Sequence, residues 1–334
     1  MKNASISLSV LLTVILSAAS LLFAGCSLSR GSAFSSQDRQ TRTGFYLNTV
    51  ISVTIYGPAS EDLLDGCMEL AAYYENLLSR TMEGSDVWNI NHSGGRPVTV
   101  HEETLLLLET ALSYAELSKG LVDPTIGALS ILWNMGEENQ GIIPDEKEIR
   151  QALSHVNYKN VRIDGSQVSL EDPECRLDLG FIAKGYIADR MREYLLSKGV
   201  TSAIINLGGN VSAIGCRPDK TPFRVGVQKP FAQTGDYSLV LEIDDLSVVS
   251  SGNYERCFEK DGVLYHHILS TRDGSPARTG LDSVTIICSR SVDGDALSTL
   301  CFLLGYEKGR ELVESLDNTQ AVFITEDGSV FQTF

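Results

Sequence analysis

The sequence predicts an α+β fold, with mixed, largely antiparallel sheets and helices packed against them. Two observations carry that reading. Short strands recur in meanders with helices mixed among them, without the regular strand–helix alternation of a doubly wound parallel sheet. Glycine-containing hairpin signals, at Asp164-Gly165 and Glu326-Asp327-Gly328, join neighbouring strands.

Taken in order, residues 45–56 alternate as a strand, clearest in Val50-Ile-Ser-Val-Thr-Ile-Tyr56. Residues 61–79 have a helical period, and an acid-rich turn, 82–86, follows. A helix over 102–119 is ended by Gly120, a short helix covers 145–154, and a hairpin covers 161–170. Residues 176–179 read as a short strand that breaks at Gly180 and enters an amphipathic helix running to about Lys198. A strand over 202–206 comes next, and strands recur at 223–228, 239–243, 247–249, 263–269 and 283–288. Helices over 295–304 and 308–316 precede the C-terminal hairpin.

The chain begins with an export signal. Lys2 precedes an uncharged apolar run, and Leu22-Phe23-Ala24-Gly25-Cys26 puts small residues directly before a cysteine. This predicts a lipoprotein-type signal over residues 1–25, with an uncleaved membrane anchor as the rival reading. Two acyl chains on Cys26 would anchor the protein stably, and both readings place the remainder outside the cytoplasm, on the outer face of the plasma membrane or the periplasmic side. Residues 26–43, rich in Ser, Gln, Arg and Thr with no apolar period, are expected to form a flexible tether. Residues 44–334 suit one large domain or two intimately joined ones.

The net charge of −16 argues against nucleic acid or an anionic surface as the main partner. It also requires any phosphate site to have local positive charge. The cysteines after Cys26 are Cys67, Cys175, Cys216, Cys257, Cys288 and Cys301, scattered without a CxxC or a nearby histidine, which disfavours a zinc site. Their even number permits disulfides, but a chain of this length has core enough without them, and most read as buried small hydrophobes.

Several segments could carry chemistry. Gly180 and Gly185 allow close backbone approach, Lys184 supplies a cation, and the helix N-terminus offers free N–H groups, so the turn suits a phosphate-containing ligand. An ordinary strand-to-helix connection, with Lys184 merely covering the helix, is the plain alternative; the phosphate-loop and GxGxxG patterns are both absent. Asp295 and Thr299 lie four residues apart on one helical face, a donor pair suited to Mg²⁺, which takes few protein ligands. Helix capping by Asp293 or Asp295 is the alternative. His266 and His267 end a strand and face opposite sides, so at most one can serve a given site as general base; a buried hydrogen-bonding role is the alternative for each. Leu121-Val-Asp-Pro-Thr-Ile-Gly127 is a turn with oxygens at Asp123 and Thr125, and Asn206-Leu-Gly-Gly-Asn210 and Ser250-Ser-Gly-Asn-Tyr254 are glycine loops.

In order, these segments resemble the ApbE family of FAD:protein FMN transferases from about Phe45 to the C-terminus. The resemblance rests on Leu47-Asn-Thr49, Asn91-His-Ser-Gly-Gly95, Asp123-Pro-Thr-Ile-Gly127, Asp178-Leu-Gly180 and Ile182-Ala-Lys-Gly-Tyr186. It continues through Asn206-Leu-Gly-Gly-Asn210, Val225-Gly-Val-Gln228, Ser251-Gly-Asn-Tyr-Glu-Arg256, His267-Ile268 and Asp295-Ala-Leu-Ser-Thr299. The resemblance implies a T-fold-related architecture and an enzyme that splits FAD, attaches FMN through a phosphoester to a Thr or Ser of an acceptor flavoprotein, and releases AMP. It implies Mg²⁺ held by the main-chain oxygen of Ala183 and the side chains of Asp295 and Thr299, with His267 as base. Leu47, Asn48, Val122, Asp123, Pro124, Gly180, Lys184, Tyr186, Ile268 and Leu269 match positions at the FAD pocket.

The chain also departs from the family pattern. Leu47 stands for the usual methionine, Asn48 for glycine, Val122 for phenylalanine and Asn253 for aspartate. Ser270-Thr271 and Asp273 stand where Asp-Pro and Thr are usual. Some relatives with Asn at the position of Asn48 hydrolyse FAD to FMN and AMP, so the resemblance gives a Mg²⁺-dependent FAD pyrophosphatase as a second reading. A non-enzymatic flavin-binding lipoprotein is a third.

Overall fold

The computed structural model describes residues 39–57, 61–136 and 141–334. The predicted signal and Cys26 lie outside the described residues. The first half of the chain forms β1 (Arg39–Tyr46), β2 (Thr49–Tyr56), α1 (Glu61–Leu78), α2 (Asp86–His92), β3 (Val98–Thr99), α3 (Glu102–Leu117), α4 (Gly127–Trp133), α5 (Glu146–Ser154), β4 (Val161–Asp164) and β5 (Gln167–Leu170). The second half forms α6 (Ala183–Ser197), β6 (Ala203–Leu207), β7 (Asn210–Ile214), β8 (Phe223–Gln228), β9 (Tyr237–Ile243), β10 (Ser247–Gly252), β11 (Cys257–Lys260), β12 (Val263–His266), β13 (Leu281–Cys288), α7 (Ser291–Leu304), α8 (Tyr306–Glu314), β14 (Gln320–Thr325) and β15 (Val330–Gln332).

Eight strands form one sheet in the order β1-β2-β6-β7-β10-β13-β14-β15, and every pairing between its neighbours is antiparallel. Three smaller antiparallel assemblies, β3-β5-β4, β8-β9 and β11-β12, surround it. The α+β expectation therefore describes the fold.

Both faces of the sheet are covered, and the two-residue period of its strands assigns side chains to them. Val284 and Ile286 of β13 and Ala321 and Phe323 of β14 join Leu300, Phe302 and other apolar residues of α7 in one core. Their neighbours Ile287, Val322 and Ile324 turn the other way and pack with Phe223, Val227, Leu241 and Ile243 of the β8–β9 ribbon. At the other end of the sheet, Ile51, Val53 and Ile55 of β2 pack with α1 and α6. Burial on two faces explains why all eight residues of β13 are buried.

Several sequence-based boundaries are corrected. The strand expected over 45–56 is a hairpin: Leu47 and Asn48 have φ of 54° and 55°, forming a two-residue turn between β1 and β2. Asn suits such a turn, whereas Leu rarely adopts it, so the pattern concealed the bend. The Leu47 N–H donates to Glu75 Oε1 at 2.7 Å, which ties the turn to α1. The tether was expected to reach residue 43, yet residues 39–43 belong to β1; ladder bonds to β2 hold this polar edge without any apolar period. The strand expected over 176–179 has a single bridge, Arg176 to Ile126. Beyond it, the backbone is held outside any ladder: Asn91 of α2 brackets Leu177 through its N–H (2.6 Å) and carbonyl (2.9 Å), and Asp178 N donates to the Pro124 carbonyl at 2.8 Å. Helix α7 starts at Ser291 instead of 295, and strand β12 stops at His266 instead of 269.

Candidate active site

A cavity of about 810 Å³ opens between α7, the N-terminal end of α6, the turn before α4 and the segment after β12. Its chemistry begins where α6 and α7 touch. A Cβ on Gly185 would lie 2.3 Å from the Ser291 carbonyl oxygen, so only glycine permits this approach. The Gly185 N–H donates to Asp295 Oδ2 at 2.9 Å, and the Lys184 ammonium stands 3.4 Å from Asp295 Oδ1. Asp295 is 2% exposed. It lies inside α7 and caps not its own helix but the first turn of α6, through Gly185.

The N-terminus of α7 is instead satisfied across the helix pair. Asp189 of α6 accepts from Ser291 N (2.8 Å) and Val292 N (3.0 Å). Burial pushes the Asp189 carboxyl above its usual range, and those N–H groups pull it back in part. Asp293 accepts from the Tyr114 hydroxyl at 2.9 Å. One turn beyond Asp295, Thr299 Oγ1 lies 3.1 Å from Ser251 Oγ, which also meets Ser298 Oγ at 2.8 Å.

The two histidines part company at the end of β12. His266 uses both nitrogens on backbone: Nε2 lies 2.8 Å from the Ala277 carbonyl and Nδ1 accepts from Ile268 N at 3.3 Å. A carbonyl needs a donor and an N–H needs an acceptor, so the ring is the neutral Nε2–H tautomer. Burial lowers its pKa in agreement. His267 lines the cavity, and its Nδ1 is shielded from solvent with no protein partner among the described residues. Burial foremost, then Arg256, His266 and Lys184, hold its pKa at about 3, so the ring is neutral at physiological pH.

Ten predicted positions meet in this cavity. Asn48, Val122, Asp123, Gly180 and Lys184 line it with Ile268, Leu269, His267, Asp295 and Thr299. Asp123, though at the wall, spends its carboxylate on neighbouring backbone and hydroxyl groups: Oδ1 accepts from Thr125 N (2.8 Å) and Oγ1 (2.6 Å), and Oδ2 from Tyr158 N (2.9 Å) beyond α5. Burial raises its pKa and these bonds oppose the rise.

Four predicted positions do not line the cavity. Leu47 packs against the main core from its turn, and Pro124 contributes its carbonyl to Asp178 N. Ala183 is buried as the first residue of α6. Tyr186 is core, edge-on to Tyr74 at 5.6 Å, with the Arg190 guanidinium over its ring. Its place on the inner face of α6 separates it from the wall.

Sequence reasoning missed Arg80, Trp133 and Arg256 at the wall. Arg80 pairs with Asp178 at 3.1 Å, while Asp178 Oδ1 accepts from Gly180 N at 2.9 Å, fixing the turn. Trp133 donates from Nε1 to the Gly274 carbonyl at 2.7 Å and so braces the loop that follows the histidines. The family departures also find partners. Thr271 Oγ1 donates to the Gly120 carbonyl at 2.8 Å, and Asn253 Nδ2 donates to Asp282 Oδ1 at 2.9 Å. An aspartate at 253 would set two carboxylates against each other.

A sequence model of the ApbE family matches residues 47–323. The chain belongs to the ApbE family. An FAD:protein FMN transferase from Treponema pallidum is 36% identical over 310 residues, covering 87% of this chain and 85% of the relative. One from Klebsiella pneumoniae is 40% identical over 273 residues, covering 81% and 84%. Among solved structures, the ApbE protein from Thermotoga maritima has a TM-score of 0.81 at 34% identity, covering 88% of this chain and 96% of that one. The flavin transferase ApbE from Vibrio cholerae has a TM-score of 0.79 at 25% identity, with the same coverage.

A divalent cation can be tested against these ApbE residues. Among the described residues, no three His, Cys, Asp or Glu side chains gather as a metal cluster. Asp295 and Thr299 offer one buried carboxylate and one hydroxyl at a polar wall, with a lysine already drawn to the carboxylate. That sparse oxygen set fits a hard cation that keeps water and phosphate oxygens. It fits zinc poorly.

Proposed function

We propose that this chain is an FAD:protein FMN transferase that works in the cavity between α6, α7 and His267. It moves the FMN part of FAD to a Thr or Ser hydroxyl of an acceptor flavoprotein. The observation that carries the reading is the meeting of a neutral His267, whose Nδ1 has no partner among the described residues, with the buried Asp295 in one cavity of about 810 Å³.

The acceptor oxygen bonds to the FMN-side phosphorus, the bond to the AMP oxygen breaks, and AMP departs. His267 takes the hydroxyl proton, and its neutral ring is the form able to do so. Lys184 and Arg256, both at the wall, supply positive charge for a pyrophosphate in a protein that is otherwise acidic. Asp295 and Thr299 would hold Mg²⁺, which when bound neutralises charge on the pyrophosphate and leaving group. Asn48, Val122, Asp123, Gly180, Ile268 and Leu269 shape the space for FAD. Leu47, Pro124 and Tyr186 support that wall from behind. Cleavage before Cys26 and its acylation would hold the enzyme on the membrane outside the cytoplasm.

The test is to mix the protein lacking its signal with FAD, Mg²⁺ and an acceptor flavoprotein domain, then weigh the acceptor. A mass increase equal to FMN, dependent on Mg²⁺, is expected; an unchanged mass overturns the proposal. Asn48 at the cavity wall favours a second activity, hydrolysis of FAD to FMN and AMP without acceptor. Product release from FAD alone measures it. Labelled palmitate incorporated by the full chain and lost in Cys26→Ala tests the anchor.

A further inference from the structure

We propose that a second groove, beneath the β8–β9 ribbon, docks the acceptor polypeptide and takes an extended acidic segment. The proposal rests on the transferase reading. The groove has a volume of about 850 Å³ and lies on the sheet face opposite α7, the face that the ribbon covers. Two family-matching segments that the FAD cavity leaves unused meet there: Asn206, Gly208 and Gly209 from the β6–β7 turn, and Val225, Gly226 and Gln228 from β8. Both positions depend on glycine. Gly208 has φ of +57° and a Cβ on it would lie 2.2 Å from Thr49 Oγ1, while a Cβ on Gly226 would lie 2.3 Å from the Tyr237 ring.

Two further observations identify the occupant. Ser250 and Glu255 line both the groove and the FAD cavity, so the two spaces share a wall. Transfer requires an acceptor hydroxyl to reach the reacting phosphorus while the bulk of the acceptor stays outside, and a groove ending at the cavity rim meets that need. Arg39, Arg217 and Arg224 line the groove, and none makes an ion pair among the described residues. Glu255 is the one acidic lining residue. Three guanidinium groups without an ion pair among the described residues, though Asp219 lies near Arg217 and Glu242 opposite Arg224, make a local positive field suited to carboxylates on an extended strand.

The experiment compares the wild type with Arg39→Glu/Arg217→Glu/Arg224→Glu, and with Arg224→Glu alone as the milder variant. Steady-state transfer to a flavoprotein acceptor domain gives separate KM values for acceptor and FAD. Fluorescence anisotropy measures binding of a labelled (Asp-Thr-Gly)₄ peptide and its Asn-for-Asp counterpart. The triple variant should raise the acceptor KM at least tenfold, leave the FAD KM within about twofold, and abolish the preference for the Asp peptide. An unchanged acceptor KM overturns the proposal. A parallel rise in the FAD KM also overturns it, because the groove would then hold part of the nucleotide. If the wild type transfers no flavin, the transferase reading fails by itself, and the peptide preference and its loss decide the groove independently.

Discussion

His266 and His267 are adjacent in sequence, but backbone groups occupy both nitrogens of the first, whereas Nδ1 of the second has no partner among the described residues. His267→Ala should therefore cut flavin transfer by roughly 10²–10⁴-fold while FAD affinity, read by calorimetry, changes little. Asp295→Ala should instead raise the Mg²⁺ concentration needed for half-maximal transfer. Equal small effects from both would place the chemistry elsewhere. Both rings are held neutral, and this gives stability a pH dependence. The unfolded chain regains ordinary histidines near pH 6.5, so below that pH it binds protons that the native state refuses. Stability should fall as pH drops from about 6.5 toward 5 and be unaffected by these groups above it. His267→Gln should flatten that slope in urea unfolding at pH 7.5, 6.5 and 5.5. The sequence alone could say that at most one histidine of the pair serves a given site, because strand neighbours face opposite sides. It could not say which, since the Ala277 carbonyl that takes His266 arrives from a loop eleven residues away.

Helices α6 and α7 form the site as a pair. Asp189→Ala would strand the Ser291 and Val292 N–H groups in a buried place, at a cost of about 1–3 kcal/mol each before relaxation. Urea unfolding should show the loss, and transfer should fall with it because Asp295 sits on the displaced helix. Gly185→Val should be more damaging, since its side chain would meet the Ser291 backbone. The spacing of Asp295 and Thr299 on one helical face was legible in the sequence, and so was the Gly180–Lys184 turn. The start of α7 was not, because its cap comes from another helix and leaves no local signature at Arg290. The β1–β2 hairpin was hidden for a related reason: a leucine at φ 54° carries no turn signal, and Glu75 of α1 holds it there. Tyr186 matched a motif for the pocket, yet periodicity alone could not reveal which side of α6 it would take.

At the scale of the molecule, the His267 cavity and the arginine-lined groove meet at Ser250 and Glu255, and the two-faced burial of the sheet follows from the two-residue period of β13 and β14. Strand β1 closes one end through ladder bonds along its full length to β2. A protein beginning at Thr49 should melt several degrees below one beginning at Arg39, because β2 would become a bare edge. Differential scanning calorimetry of the two measures this. The six cysteines after Cys26 form no disulfide among the described residues. Burial pushes Cys67, Cys175, Cys288 and Cys301 up to about 12, so almost none of their thiolate exists at neutral pH. With no disulfide among the described residues to protect, protein made in a reducing cytosol should be fully active, and dithiothreitol should leave that activity unchanged.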